Sequence, residues 1–307
     1  MNHQKSVTYP TNSLFFSQPW LNRTQNIGLS GRELHLEKYK GIRIATRVEG
    51  EIADYESIPS KTKVTELCRT SRSQGADWFV IRKLTEKTPT NSSQTRSRFF
   101  NYSRAPYLDL TAPTQVKKEV LSHLGRTERK IARELGTIRL CRANDKTKFS
   151  WFKQWSDFEK KNSRFSETKF ELYSQWLLGG KLEPWMRLMS LIAEDKSGAT
   201  VTLALGIFYC WNGVFYYYAP VMNPDPRLQK YGGGKLLVQK LIELARTEGC
   251  HTFDFLQGEH SYKFHWNPQT RPLYQYIVPL TFKGTIALGY LRLKHLLSSN
   301  QIRKGIS

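Results

Sequence analysis

Apolar positions along this chain change period several times, and each change marks an expected element. Val201 to Tyr209 and Val214 to Pro220 are nearly unbroken runs of β-branched, aliphatic and aromatic residues flanking Trp211-Asn212-Gly213. Asn-Gly supplies the positive φ angles of a tight turn, so the two runs predict a hairpin. Leu236, Leu237, Leu241, Ile242 and Ala245 then recur on one helical face until Gly249, placed as a C-cap, and His251 to Leu256 reads as a strand. Upstream, Lys61 to Gly75 predicts a helix after Pro59, and Asp77 to Leu84, with Trp78, Phe79, Val80 and Ile81, a strand. Pro106 to Leu110 and Trp185 to Ala193 read as strands, and Gln115 to Leu135, Trp151 to Asn162 and Phe170 to Gly179 as helices. Met1 to about Ser30 is a polar arm that docks Phe15, Phe16, Trp20 and Leu21. Glu86 to Arg104, rich in Thr, Ser, Asn and Arg, reads as an exposed loop.

Two stretches echo one another. Arg69-Thr70 leads through Gly75 to Trp78-Phe79-Val80, and Arg246-Thr247 leads through Gly249 to Phe253-Asp254-Phe255. The repetition suggests two related α/β halves, residues 1–112 and 113–307. Each is expected to be a mixed, mostly antiparallel sheet flanked by helices, with the first half degenerate. A length of 307 residues suits two domains.

Composition narrows the class. A hydrophobic fraction of 39% with 16 Phe, 15 Tyr and 8 Trp supports packed cores. The 47 Lys and Arg against 26 Asp and Glu give a net charge of +21, which attracts anions: CoA phosphates, RNA, acidic glycans or anionic lipid heads. No Asp or Glu follows Glu259, whereas Lys263, Arg271, Lys283, Arg292, Lys294, Arg303 and Lys304 do. On the helix from Gln115 to Leu135, Lys117, Lys118, Arg126, Arg129, Lys130 and Arg133 lie between the apolar positions, as on a solvated face or a phosphate-binding one. Cys68, Cys141, Cys210 and Cys250 have neither disulfide-framework nor zinc-ligand spacing, so reduced thiols and no metal are expected. No apolar leader pattern is found at the N-terminus. Ile286 to Leu297, interrupted by Arg292 and Lys294, is too short to span a bilayer, so a cytoplasmic protein is expected, with contact at an anionic membrane surface as an option.

Gln229-Lys230-Tyr231-Gly232-Gly233-Gly234-Lys235 carries the chemistry. Glycines at a helix start leave backbone N–H groups unobstructed at the positive end of the helix dipole, which suits a pyrophosphate. Beyond the helix, Asp254, Glu259 and His260 are candidate bases and Tyr262 a candidate acid. Glu259 and His260 leave a strand end on a Gly258 loop. Lys263 suits a phosphate, a substrate carboxylate or an ion pair with Asp254.

The order strand, strand, Gln-x-x-Gly-x-Gly, helix, strand, carried by Gln229, Gly232 and Gly234, is similar to the core of the GNAT acyltransferases. Phe253-Asp254-Phe255-Leu256-Gln257-Gly258-Glu259 with Tyr262-Lys263 and Trp266 resembles the ending of the CelD/BioF2-like acetyltransferase-domain family, itself similar to Fem-type peptidyltransferases that use aminoacyl-tRNA. The resemblance covers roughly Pro106 to Val278. It implies an acyl-CoA cosubstrate, acetyl-CoA first, with its pyrophosphate over Gly232, Gly233, Gly234 and Lys235. Its pantetheine would run beside a splayed strand that includes Tyr218, Ala219 and Val221, with Lys263 and Trp266 toward the substrate. It implies N- or O-acyl transfer to an amino sugar, polysaccharide precursor or related polar acceptor. The alternatives are a Fem-like transferase with tRNA as partner and a noncatalytic protein of envelope polysaccharide assembly. No DNA partner is expected.

Overall fold

The structure, a computed structural model, describes residues 13–16, 20, 34–47, 55, 61–85, 98–112, 116–162 and 167–304. It groups into two units, Met1–Thr11 with Phe15–Ser103 and Pro272–Ser307, and Asn12–Leu14 with Arg104–Arg271. Each has mixed α/β structure with mostly antiparallel strand pairing.

The first unit contains β1 (Leu34–Tyr39), β2 (Ile42–Arg47), helix α1 (Lys61–Ser73) and β3 (Trp78–Leu84). With β10 (Gln269–Pro279), these strands stand in the order β1-β2-β3-β10. β1 and β2 form a hairpin about Lys40 and Gly41, both at positive φ, and β2 runs parallel to β3 through α1. One apolar layer joins Val64 and Leu67 of α1 to Phe79, Ile81, Tyr276 and Val278. A second joins Ile44, Trp78, Val80 and Ile277 to Leu288 of the terminal helix α8 (Phe282–Lys304). Asp77 ties the unit together: its carboxylate accepts from the Arg43 N–H at 3.0 Å and the Thr281 hydroxyl at 2.8 Å. Burial raises this carboxyl, but those two hydrogen bonds and the charges of Lys283 and Arg43 outweigh it and hold it below the usual range.

The second unit contains β4 (Arg98–Asp109, from Arg104 on), α2 (Lys118–Glu134), β5 (Thr137–Arg142), α3 (Lys148–Lys161), α4 (Glu167–Leu178), β6 (Met186–Glu194), β7 (Thr200–Trp211) and β8 (Val214–Met222). A helical turn α5 (Pro226–Gln229), the helix α6 (Gly233–Thr247), β9 (Thr252–Asp254) and a helical turn α7 (Ser261–Phe264) follow. The strand order is β4-β9-β8-β7-β6-β5. β7 and β8 form the expected hairpin, with Asn212 at φ 47° and Gly213 at φ 72°. β8 then runs parallel to β9 through α6. Leu124 and Ile131 of α2 and the Leu236–Ala245 face of α6 share a core with Phe208, Phe215, Tyr217 and Phe253. Rings from α3 and α4, among them Trp155, Tyr173 and Trp176, associate with Tyr209 and Tyr218.

The expected echo has a topological counterpart. Each unit has a hairpin, a helix ended by a positive-φ glycine (Gly75 at 79°, Gly249 at 75°) and a strand parallel to the second hairpin strand.

Several expectations need correction. Residues 98–104 are strand, because Phe99, Phe100 and Tyr102 supply the β-forming side chains where aliphatic residues are lacking; residues 86–97 lie outside the described ones. β9 stops at Asp254 rather than Leu256. The Asp254 carboxylate accepts from the Leu256 N–H at 2.8 Å, and Leu256 adopts φ 61°. β1, β2, β5 and β10 were not foreseen. Of the arm, Phe15 and Trp20 are buried with ring centroids 4.7 Å apart, while the Phe16 side chain and Leu21 lie outside the described residues. Cys210 and Cys250, distant in sequence, meet as thiols with Sγ atoms 3.4 Å apart.

Candidate active site

The glycine cradle is built by three successive local events. Asp225 caps the α5 turn by accepting from the Arg227 N–H at 2.9 Å, with Pro226 in the first position. The chain then folds back through Tyr231 N–H to Leu228 O at 3.1 Å and Gly232 N–H to Gln229 O at 3.0 Å. Gly232, at φ 61° and ψ 38°, redirects it into α6.

A Cβ on Gly233 would stand 3.1 Å from the Leu203 carbonyl oxygen, so that glycine lets α6 approach β7. A Cβ on Gly234 would meet the Met222 sulfur at 2.7 Å. The N–H groups of Gly233 and Gly234 belong to the first turn, where α-helical geometry provides no acceptor, and that turn holds no acidic residue. Lys235 follows, and the Lys230 and Lys130 ammonium groups lie 4.9 and 5.5 Å from the Tyr231 ring centroid. A pyrophosphate would find donors and cations here, and at Gly232 a Cβ position with no neighbour within 4 Å.

Beside the cradle, β8 leaves its parallel neighbour. Pairing with β9 covers Val214↔Thr252, Phe215↔Phe253 and Tyr216↔Asp254. Beyond that rung the β9 chain stays with β4, through Phe255 N–H to Pro106 O at 2.9 Å and Gly258 N–H to Arg104 O at 3.0 Å. β8 continues along β7 to Met222. The β7–β8 register passes from Phe208↔Tyr217 to Ile207↔Ala219, so Tyr218 is the extra residue of a bulge. Gly206 accommodates it, since a Cβ there would meet Pro220 Cα at 2.9 Å and the Ala219 oxygen at 3.0 Å. Of the candidate donor-binding residues on this strand, Tyr218 is hydrogen-bonded to the Tyr173 hydroxyl at 3.0 Å. Ala219 O accepts from Trp155 Nε1 at 3.2 Å, and Val221 is buried opposite Leu205. Gln229 is exposed, its side-chain amide donating to Pro224 O at 3.3 Å.

The loop after β9 separates the candidate acid–base groups into two environments. Asp254 is 1% exposed, forms an ion pair with Arg271, and caps the Leu256 N–H. Arg271 also lies over the Tyr107 ring, 4.7 Å from its centroid, and the Tyr107 hydroxyl donates to Gln269 Oε1 at 2.7 Å. Burial raises the Tyr107 phenol and pushes that of Tyr216 up to about 12. The Leu14 N–H donates to the Tyr216 hydroxyl at 3.4 Å.

Glu259 and His260 are exposed, with Glu259 3.7 Å from the Arg104 guanidinium. Tyr262 is partly buried, its ring 6.1 Å from His260 and 6.4 Å from Tyr217. Lys263 does not pair with Asp254. It is buried, and its ammonium donates to the carbonyls of Phe255 at 2.8 Å, Leu256 at 3.3 Å and Gln257 at 2.8 Å. Trp266 is buried in the same apolar core as Phe255 and Tyr231. Lys263 therefore holds the loop's shape, and Trp266 is part of the core. Sequence reading missed Arg271 as the partner of Asp254, since it is one of several basic residues in the C-terminal stretch. Among the described residues no three His, Cys, Asp or Glu side chains converge as a metal site would require.

Residues 119–264 match the family model described as an acetyltransferase (GNAT) domain. Among solved structures, the C-terminal domain of a putative lysylphosphatidylglycerol synthetase from Agrobacterium fabrum aligns over 87% of this chain and 94% of its own, at 14% identity and TM-score 0.53. L-PGS from Bacillus licheniformis aligns over 85% of each chain at 11% identity and TM-score 0.52. FemX aligns over 80% of this chain and 83% of its own at 8% identity and TM-score 0.50. At such identities the likeness is one of fold. No curated protein sequence matches the chain.

Proposed function

We propose that this chain, with its GNAT-type acetyltransferase domain over residues 119–264, is an acyltransferase that takes an acyl group from acyl-CoA and passes it to an amine or hydroxyl of a polar acceptor. The observation that carries the reading is the parting of β8 from β9 beyond Tyr216↔Asp254, flanked by the Gly233 and Gly234 N–H groups of α6. Acyl-CoA supplies an activated thioester carbon. Gly233, Gly234 and Lys235 would hold its pyrophosphate, and the stretch of β8 from Tyr218 to Val221, past the last rung with β9, would align the pantetheine and polarise the thioester carbonyl.

Glu259 or His260, exposed on the loop, would accept the acceptor's proton as its nitrogen or oxygen bonds to the acyl carbon. The carbon–sulfur bond breaks, and Tyr262 would return a proton to the departing thiolate. Asp254, engaged by Arg271 and the Leu256 N–H, positions the loop in this scheme. The resemblance to CelD/BioF2-like domains favours acetyl transfer to an amino sugar or polysaccharide precursor.

A second reading is supported by fold likeness to FemX and to the synthetase domains, and by the exposure of Lys117 at the N-cap of α2 and of Lys118, Arg126 and Lys130 on it. In it the donor is an aminoacyl-tRNA ester. Parallel titrations of the purified protein with acetyl-CoA and with bulk aminoacyl-tRNA decide between them. Saturable acetyl-CoA binding, with mass-detected transfer to an acceptor in cell extract, is the expected result; tRNA binding without affinity for acyl-CoA would replace the first reading with the second.

A further inference from the structure

Among its described side chains, the terminal helix α8 is fixed to the first unit along one face. Gly284 sits so close that a Cβ would fall 2.2 Å from the Asp77 carbonyl oxygen, and Trp78 Nε1 donates to Gly284 O at 2.7 Å. Leu288 is buried, and Ala287 and Leu291 pack against the same cluster. The opposite face is apolar and open: Phe282 is 79%, Ile286 59%, Tyr290 70% and Leu293 56% exposed. At helical periodicity these four fall within an arc of roughly 80°. Exposed Lys283 and Lys294 follow the arc on one side and exposed Arg292 on the other. The Lys283 ammonium donates to Gly41 O at 2.6 Å, which joins the β1–β2 turn, with exposed Tyr39 and Lys40, to the start of the stripe.

An aromatic and aliphatic stripe between basic shoulders is the pattern of a helix that lies in a bilayer interface. We propose that this face of α8, with the Tyr39-Lys40 turn, docks on an anionic lipid surface. Charge selects this occupant. No Asp or Glu follows Glu259, so a second copy laid on the stripe would set cationic shoulders against each other, whereas anionic headgroups neutralise them while the stripe enters the acyl boundary. Among the described residues no helix is long and apolar enough to cross a membrane, so the contact is peripheral.

Cosedimentation of the full chain with phosphatidylglycerol and with phosphatidylcholine vesicles tests this. Binding is expected to the first and not the second, and to weaken with salt. The triple variant Phe282→Ser, Ile286→Ser, Tyr290→Ser should bind phosphatidylglycerol about a hundredfold more weakly. Arg292→Gln with Lys294→Gln should weaken it roughly thirtyfold, at about 1 kcal/mol per charge. All substituted side chains are exposed, so parental melting temperatures are expected. Equal vesicle binding by parent and triple variant, equal binding to both lipids, or a parental dimer that the triple variant splits while vesicles capture neither would each overturn the proposal.

Discussion

Arg271 and Asp254 form a buried ion pair at the last rung before β8 and β9 separate. Removing one member of such a pair leaves the other charge without compensation in the interior, a cost of about 3–5 kcal/mol. Asp254→Ala is therefore expected to lower unfolding stability by that amount in urea titrations, and Asp254→Asn, which keeps the shape, by less. A folded Asp254→Ala of parental stability would show that the pair does not organise the loop.

Gly232 offers the cleanest probe of the cradle. A Cβ at this position would have no neighbour within 4 Å, and Asp tolerates the left-handed conformation that Gly232 adopts, whereas any side chain at Gly233 presses on the Leu203 backbone. Gly232→Asp is expected to weaken acyl-CoA binding about fivefold or more, since a helix-terminus interaction is worth on the order of 1 kcal/mol and like-charge repulsion adds to its loss. Gly232→Asn should bind nearly as the parent does. Calorimetric titration reads both, and unchanged affinity in Gly232→Asp would remove the cradle from the donor site.

Glu259 and His260 share one loop and compete for one role. If Glu259 is the base, Glu259→Gln should lower kcat about a hundredfold or more with KM for acyl-CoA little changed, and His260→Gln should have a small effect. Steady-state kinetics with the acceptor identified by mass would separate them. Parental kcat in both single variants and in the double variant would exclude base catalysis by this loop.

The Asp77 carboxyl titrates below its unfolded value, so its stabilising contribution is fully present above the unfolded carboxylate pKa and is lost as pH falls through the folded one. Urea midpoints measured from neutral pH into acid should fall for the parent. For Asp77→Asn the unfolding free energy should start about 1–3 kcal/mol lower and the midpoints should fall less. Parallel pH profiles would contradict the assignment.

The two donor readings differ in salt dependence. Neutralising Lys117, Lys118 and Arg126 should leave acyl-CoA affinity nearly unchanged. If tRNA is the donor, each lost phosphate contact should flatten the slope of log affinity against log salt by roughly 0.7 to 0.9. Filter binding across a salt series measures this.

Local signals were legible where neighbours in sequence are neighbours in space. Asn212-Gly213 announced the β7–β8 turn, and the spacing of Leu236, Leu237, Leu241, Ile242 and Ala245 announced the buried face of α6. The Asp254–Arg271 pair was not legible, because nothing local to Asp254 distinguishes Arg271 from the other basic residues of the C-terminal stretch. β10 was hidden by Pro272, Pro279 and a polar beginning, and β9 was overextended because an apolar Leu256 gives no sign that the carboxylate two residues earlier will turn it. Side-chain roles were the least legible. Lys263 has the composition of an anion ligand, yet only the folded loop turns three carbonyls toward it.

That arrangement has a chemical corollary. A lysine amine near an activated acyl group is itself an acceptor, since its lone pair can attack the thioester carbon. The ammonium form has three hydrogens to donate and no lone pair, and the carbonyls of Phe255, Leu256 and Gln257 are placed to accept all three. In the proposed chemistry, the loop that presents Glu259 and His260 to an incoming nucleophile keeps its own amine turned away from the acyl group.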